Sequence, residues 1–142
     1  MDWTMTSTLD APGVLRIGAS GHAVVEEFQR LVNEMVSRED WHSVIGLLVD
    51  CRSVSVKGVQ YDEVDRTGMI LLNHAVDFGT AKIALVTAKG VGYGIGKQFK
   101  HVTEAKTDIC VEVFLDESAA FRWIVDEQSN TPLDALIQKE QK

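Results

Sequence analysis

The stretch Val44-Ile45-Gly46-Leu47-Leu48-Val49-Asp50 determines how the rest of the chain is interpreted. It is a continuous apolar run that ends on a carboxylate and lacks the alternation of a half-exposed strand. Such a run predicts a strand buried on both faces, as parallel strands covered by helices are. In open α/β sheets the binding groups lie just beyond the carboxyl ends of such strands. We therefore expect a functional site in the segment from Asp50 to Gly58.

Size and composition favour one soluble domain. The chain has 142 residues, of which 45% are hydrophobic, enough for a single core. Its formal net charge of -7 opposes binding to nucleic acids and to anionic membrane surfaces. No apolar run is long enough for a signal peptide or a membrane span, which predicts a cytoplasmic protein. Cys51 and Cys110 are then expected to be free thiols, and the scattered histidines lack metal-ligand spacing, so we expect neither a metal nor a cofactor.

Hydrophobic periodicity and turn signals predict the order ββαβαβαβα along a single domain, residues 1–142. The first two predicted strands form a hairpin. Its first arm carries Trp3, Met5 and Leu9, its turn is Asp10-Ala11-Pro12-Gly13, and its second arm is 14–19. The other predicted strands are 44–50, 82–88 and 109–115. The first two predicted helices cover 24–35 and 61–79. A third helix carries Phe99, Val102 and Ala105, a fourth begins at Asp116, and a short helical tail lies within 129–142. This order predicts a five-stranded, mostly parallel α/β sheet with an antiparallel N-terminal edge strand and helices on its faces.

The second predicted helix has two unusual features. About ten residues separate it from the central strand, more than is usual for a βα connection, and long connections are often functional. Its apolar residues also exceed one core face. The predicted core face consists of Val64, Gly68, Leu71, Leu72 and Ala75, whereas Met69, Ile70 and Val76 lie outside it. The surplus indicates that a ligand, a lid or another subunit covers a second side of this helix.

Several segments resemble the SpoIIAA-like group of STAS-type domains. They are Leu48-Val49-Asp50 followed by a long loop to Tyr61-Asp62, Lys82-Ile83-Ala84-Leu85-Val86 with Gly92-Tyr93-Gly94, and Val111-Glu112-Val113-Phe114 leading into residues 117–124. STAS-type domains are small bacterial proteins, similar in fold to anti-sigma-factor antagonists and related in shape to CRAL-TRIO lipid-binding domains. The resemblance implies a STAS/SpoIIAA-like fold and a regulatory, non-catalytic role.

The same resemblance directs attention to the serines after the central strand. In anti-sigma antagonists a phosphorylatable serine lies directly between the central strand and its helix, where the helix N-terminus can stabilise a phosphate. Here that place holds Cys51-Arg52-Ser53-Val54-Ser55, and the helix begins several residues later. Ser53 and Ser55 are candidates for phosphorylation by location, although the acidic start of the second helix would oppose a phosphate.

The glycine-rich stretch from Gly90 to Lys97 is predicted to be a loop between the strand 82–88 and the next helix, and it matches neither a Walker A loop nor a Gly-x-Gly-x-x-Gly pattern. Lysines and a histidine gather around it, at Lys89, Lys97, Lys100 and His101. Cations at a helix N-terminus are unfavourable unless an anion offsets them. Close helix packing by the glycines, with solvated lysines, is the favoured interpretation, and an anion site is the alternative.

Two residues at the end of the central strand have side chains that could do chemistry. Cys51 occupies the place of the nucleophile in cysteine phosphatases, but Lys57 stands where their arginine is required, so a buried structural thiol is the favoured interpretation. Asp50 could act as a base or anchor a ligand hydroxyl, but capping of the following turn is the favoured role. Because no set of nucleophile, base and orienting group emerges, we expect no enzyme.

The leading hypothesis is a non-catalytic module that binds a partner protein or a small anionic or hydrophobic ligand. Its predicted binding residues are Asp50, Arg52, Ser53, Ser55, Tyr61, Gly92, Tyr93, Gly94 and Lys97. The alternative is a carrier of lipid or another hydrophobic ligand, with a pocket under the 51–61 loop. Its predicted lid is Val54, Val56, Val59 and Tyr61, and its predicted pocket wall is Met69, Ile70 and Phe78. A homodimer is compatible with either, through the second helix or through Leu133, Leu136 and Ile137.

Overall fold

A five-stranded sheet organises the residues that the structure, a computed structural model, describes, namely 1–7 and 12–126. The strands are β1 (Asp2–Ser7), β2 (Val14–His22), β3 (Gly46–Ser55), β4 (Lys82–Val86) and β5 (Cys110–Phe114). The helices are α1 (Val25–Val36), α2 (Tyr61–Asn73), α3 (Ala75–Phe78), α4 (Val91–Lys106) and α5 (Glu117–Val125), and a 3₁₀ turn covers Trp41–Ser43. Of the predicted hairpin, Leu9 in the first arm and Asp10 and Ala11 in the turn lie outside the described residues, as does the predicted tail at 129–142.

The strands follow one another across the sheet in chain order, β1-β2-β3-β4-β5. β1 is antiparallel to β2, and all the other neighbouring strands are parallel. The prediction of a mostly parallel sheet with an antiparallel N-terminal edge strand is therefore confirmed. β3, which contains most of the stretch 44–50, is the middle strand, and Leu47 and Leu48 point to opposite faces and are both 2% exposed.

Three helices cover one face of the sheet, and α5 packs on the other. Successive crossovers from β2 to β5 all run in the same direction, and right-handed crossovers then place α1, α2 and α4 on the same side. The larger core cluster lies under these helices and includes Ile17, Leu47, Leu71 and Val102. A smaller cluster lies under α5 and includes Val14, Leu48, Ala84, Val86, Ala120 and Ile124.

The central strand extends further than predicted. Residues 51–55 were expected to be loop, but β3 continues to Ser55 because β2 also continues, through Gly21 to His22, and pairs with it. Only residues 56–60 separate β3 from α2, so the connection has an ordinary length. Pairing with β2 therefore keeps polar residues in a strand, although their sequence alone is typical of a loop.

Two helices also differ from the prediction. The helix expected at 61–79 is interrupted at His74, where α2 ends and the short α3 begins. Its core face is also different, because Ile70 is 8% exposed whereas Leu72 is 39% exposed. The glycine-rich stretch is helix rather than loop, since α4 begins at Val91.

The end of α5 is anchored by a lysine from the sheet. Lys82 in β4 is only 3% exposed. Its Nζ donates to the carbonyl oxygens of Trp123 at 2.9 Å, Ile124 at 3.4 Å and Asp126 at 3.1 Å. The last carbonyls of a helix lack partners within the helix, and a cation there also complements the helix dipole. Lys82 thus fastens the C-terminal end of α5 to β4.

Candidate functional site

An apolar cavity of about 190 Å³ lies between the sheet and the helices α1, α2 and α4. Its floor consists of side chains from the middle strands and of Thr87 just after β4; the strand residues are Ile17, Ala19, Leu47, Val49, Cys51, Ile83 and Leu85. Its roof includes Phe28 and Leu31 from α1, Val64 and Leu71 from α2, and Ile95 and Phe99 from α4. Protein cores normally contain few voids larger than a water molecule, so a space of this size is a candidate binding site.

A bulge in β3 directs one more side chain into the cavity. Between Gly18 and Ser20 β2 advances two residues, whereas between Asp50 and Ser53, their partners, β3 advances three. The extra residue reverses the alternation of faces. Cys51 and Val54 therefore both line the cavity, although three positions separate them along a strand.

The mouth of the cavity lies at the carboxyl ends of the strands. Its partly exposed lining residues are Met1, Val24, Val56, Val59, Glu63 and Gly92. Val24 precedes α1, Val59 precedes α2, and Gly92 is in the first turn of α4. This is the edge of an open α/β sheet at which ligands usually bind.

Among the described lining residues, only Glu63 has a charged side chain. Its Oε1 accepts the backbone N–H of Gln60 at 3.0 Å, as part of a capping box that starts α2. Two hydroxyl groups belong to the lining. Thr67 donates its hydroxyl to the carbonyl of Val64, whereas Thr87 Oγ1 is enclosed and has no hydrogen-bond partner among the described residues. The wall is thus apolar with few polar groups.

Cys51 faces this apolar space as a protonated thiol. Burial, and secondarily the negative charge of Asp50, raise the pKa of the thiol to about 12. A nucleophilic cysteine needs a lowered pKa, so the surroundings of Cys51 are those of an inert buried thiol. Both cysteines of the described residues are free.

On the opposite face of the sheet, Asp50 belongs to a network of four charged side chains. Arg52 donates to both carboxylate oxygens of Asp50, at 2.9 Å and 2.8 Å, and Arg16 donates to Oδ2 at 3.1 Å. Both arginines also contact Oε1 of Glu117, at 3.1 Å, in the first turn of α5. The hydrogen bonds from Arg52 are the main reason that the pKa of Asp50 lies below its usual value. The network joins α5 to β2 and β3.

The serines proposed for phosphorylation lie on this second face. Ser53 and Ser55 are exposed and belong to β3. Ser55 is the strand's last residue, and its Oγ accepts the N–H of Lys57 at 3.4 Å. Neither serine occupies a turn at the start of α2, because residues 56–60 intervene.

The residues predicted around α4 are distributed between the cavity mouth and the helix surface. Gly92 lines the cavity, whereas Gly94 is exposed. Lys97 lies 5.5 Å from the ring centre of Tyr93 and forms an ion pair with Glu112 at 3.7 Å. The neighbouring lysine of the predicted basic patch, Lys100, contacts Glu104 at 3.1 Å and Glu112 at 3.7 Å. Carboxylates of the chain itself therefore offset these two lysines.

The predicted carrier pocket and the observed cavity overlap in part. Val54, Val56, Val59 and Phe78 are lining residues. Tyr61 and Met69 are instead 57% and 43% exposed, and Ile70 packs into the core without lining the cavity. Sequence reasoning missed the contributions of β2 and α1, since Ala19 and Phe28 look like ordinary core residues. It also missed Arg16, although a charged residue inside an apolar strand signals an ion-pair partner.

The described residues contain neither a membrane-spanning helix nor a cluster of metal ligands. None of their helices is long and apolar enough to span a membrane. No three of their His, Cys, Asp or Glu side chains are grouped so that they could hold a metal ion.

The fold and the cavity define an α/β module with a covered apolar site, and this fold has a solved counterpart. The chain is similar in structure to an uncharacterized protein of the DUF3478 family with a SpoIIAA-like fold from Shewanella loihica PV-4. The TM-score is 0.52 at 15% sequence identity, and the match covers 87% of this chain and 92% of the other. This chain therefore has a SpoIIAA-like fold, as its sequence predicted. No protein-family profile matches the chain, and no curated protein matches it.

Proposed function

We propose that this protein is a non-catalytic binding module that holds a small hydrophobic molecule in the cavity between the sheet and α1, α2 and α4. The observation that carries the proposal is the cavity itself, about 190 Å³ in volume and lined almost entirely by apolar side chains. An empty space of this kind lowers stability, because its lining loses packing contacts. A ligand that fills it would restore them.

The chemistry of the candidate reactive groups supports a binding role over a catalytic one. The high pKa of Cys51 keeps its thiol protonated. Asp50 is held by two arginines on the other face of the sheet, and its lowered pKa makes it a poor base at neutral pH. Neither residue has the surroundings of a nucleophile or of a general base.

Native mass spectrometry tests the proposal on protein purified from its own host. We expect an added mass that is retained under native conditions and lost on denaturation. The proposal would be refuted if the purified protein carried no added mass and also failed to bind small hydrophobic probes such as toluene. A mass of a phosphoryl group that survives denaturation would instead support the proposal that Ser53 or Ser55 is phosphorylated.

Binding of a partner protein is a second candidate function. Apolar side chains are exposed where the helices begin, with Val24 at 38%, Tyr61 at 57% and Val91 at 70% exposure. Apolar groups around a binding cleft favour docking of a partner. Alanine substitutions of Tyr61, Tyr93 and Lys97 are expected to weaken such an interaction, and Arg52→Ala tests whether the opposite face of the sheet takes part, because Arg52 pairs there with Asp50 and Glu117. An affinity unchanged by all of these substitutions would exclude this surface.

We further propose that the module acts in the cytoplasm, where its cysteines would stay reduced. Self-association is compatible with the exposed apolar side chains on α2 and just after it, namely Met69, Leu72 and Val76. Sedimentation at several protein concentrations would test it. A mass independent of concentration and equal to one chain would exclude a homodimer.

A further inference from the structure

We propose that the cavity selects a compact, uncharged hydrophobic molecule, of about the size of a substituted benzene, and rejects charged molecules of the same skeleton. This inference rests on the proposed function and adds the chemical class of the ligand. Three properties of the cavity support it: its size, the polarity of its wall and the charge at its mouth.

The size of the cavity excludes bulky ligands. Its volume of about 190 Å³ lies between the roughly 150 Å³ of an engineered apolar cavity that takes up benzene and the roughly 300 Å³ at which pockets for drug-sized ligands begin. A single ring with one or two small substituents fits this range. A lipid with long acyl chains requires more space than the cavity offers.

The polarity of the wall excludes charge inside the cavity. A buried ion needs an opposite charge or several hydrogen bonds to offset its lost hydration. No lysine, arginine or histidine is among the described lining residues. Lys97 and Lys100 lie elsewhere on α4, paired with carboxylates of the chain. A carboxylate ligand would therefore enter without a cationic side chain to receive it.

The Cys51 thiol shows that the wall disfavours a negative charge. The Cys51 thiol lines the cavity, and its pKa is raised to about 12, mainly by burial. The surroundings that disfavour a thiolate at this place would also disfavour the carboxylate of a ligand. At the mouth, Glu63 adds repulsion toward an approaching anion. The same charge attracts a cation to the mouth, so the expected rejection of cations rests on the apolar wall behind it, where an ammonium group would lose its hydration.

The experiment compares four molecules that share a benzene ring: toluene, benzyl alcohol, benzoate and benzylammonium. Their binding to the full chain is measured at neutral pH by calorimetry and by ligand-observed NMR, on protein whose native mass spectrum shows the bare chain. Toluene and benzyl alcohol are expected to bind. Benzoate is expected to bind at least about 100-fold more weakly, because its charge would be buried without a partner. Benzylammonium is expected to bind more weakly than toluene.

Variants locate the binding in the cavity. Val54→Phe is expected to fill the mouth side and to weaken toluene binding at least about tenfold. Ala19→Leu fills the floor from β2 and serves as a second variant if Val54→Phe does not fold. Val76→Phe is the matched control, because Val76 is 97% exposed. Toluene binding unaffected by either filling variant would overturn the assignment to this cavity.

The outcomes separate the ligand class from the proposed function. Benzoate or benzylammonium binding as tightly as toluene would overturn the ligand class, although the cavity would remain a binding site. Failure of all four probes, with a bare chain from the native host, would overturn the proposed function itself. If a molecule co-purifies, its accurate mass and its fragmentation spectrum after extraction identify it, and a carboxylate among the bound molecules would also overturn the ligand class.

Discussion

At the scale of single residues, Asp50 shows how the sheet decides the role of a side chain. Its position after an apolar run made it a candidate for capping, binding or base chemistry. Its side chain is 18% exposed and contacts Arg16 at 3.1 Å and Arg52 at 2.8 Å. These charge-assisted hydrogen bonds connect β2, β3 and, through Glu117, α5. Asp50 is therefore a structural anchor on the face of the sheet opposite the cavity.

Replacing Asp50 by Asn tests this role. Asp50→Asn is expected to lower the free energy of unfolding by about 1 to 3 kcal/mol at neutral pH, because both arginines lose a charged partner. The pKa of Asp50 in the folded protein lies below its usual 3.8, mainly because Arg52 donates hydrogen bonds to the carboxylate. The stability that Asp50 contributes is thus present above about pH 4 and is lost as the pH falls through the folded pKa.

Urea denaturation of wild type and Asp50→Asn at about pH 7 and about pH 3 measures this dependence. The difference between the two proteins should shrink at the lower pH. Asp108→Asn is the control, since Asp108 is exposed in the turn before β5. A difference that stays constant with pH would contradict the ionic role of Asp50.

Lys82 is the second residue whose role depends on a tertiary contact. Lys82→Met keeps the apolar stem but removes the Nζ that donates to the carbonyls of Trp123, Ile124 and Asp126. A loss of about 2 kcal/mol in the free energy of unfolding is expected, because three carbonyl acceptors that are buried or partly buried lose their donor. Hydrogen exchange should be faster in α5 than in the wild type. Lys89→Met is the control on an exposed lysine, and equal stability of Lys82→Met and the wild type would refute the anchor.

At the scale of elements, α4 shows why glycines can be ambiguous in a sequence. Gly92, Gly94 and Gly96 suggested a loop, yet all three are helical. A Cβ at Gly94 would meet no atom within 4 Å, whereas a Cβ at Gly96 would lie 3.0 Å from Val113 Cγ1 and 3.3 Å from Thr87 Cγ2. Only Gly96 thus allows the helix to pack closely on the sheet. The predicted role of glycine in close packing applies to that position.

Alanine substitutions at the two glycines should have opposite effects. Gly94→Ala is expected to raise the free energy of unfolding by about 0.5 to 1 kcal/mol, because alanine favours the helix and the space is open. Gly96→Ala is expected to lower it by about 1 kcal/mol, because crowding against Val113 and Thr87 outweighs the helical gain. Chemical denaturation of both variants makes the comparison within one helix. Equal stabilisation by both would mean that the sheet yields to the added methyl group.

At the scale of the whole molecule, the cavity is the feature that distinguishes this protein from a plain close-packed domain. It lies between the strands β2, β3 and β4 and the helices α1, α2 and α4, and it opens at the carboxyl ends of these strands. Voids are eliminated on unfolding, so they make a folded protein sensitive to pressure. The apolar wall is expected to keep the cavity dry when no ligand is bound.

High-pressure unfolding tests whether the cavity exists in solution. Ala19→Leu places a larger side chain into it from β2, where Ala19 is 9% exposed. The variant should show a smaller volume decrease on unfolding and a higher midpoint pressure than the ligand-free wild type, as followed by tryptophan fluorescence. Val76→Leu on the surface should behave like the wild type. An unchanged volume decrease in Ala19→Leu would contradict the cavity.

The sequence alone determined the order of the elements and the class of fold. The apolar run at 44–50, the helical period of 24–35 and the turn residues between them are local signals, and local signals specify strands and helices and their succession. Short right-handed connections between successive elements allow only a few sheet topologies for this order. The observed topology is one of these, and it is the SpoIIAA-like topology that the sequence resemblance implied.

Only the tertiary structure decided where β3 ends and what its residues do. Pairing with β2 extends the strand to Ser55, and the bulge places Cys51 and Val54 on the same face. The cavity itself has no local signal, because its wall combines residues from β2, β3 and β4 and from the helices α1 to α4, most of which look like ordinary core residues in sequence. A void is set by how packed elements diverge in space, which depends on distances between residues far apart in the chain.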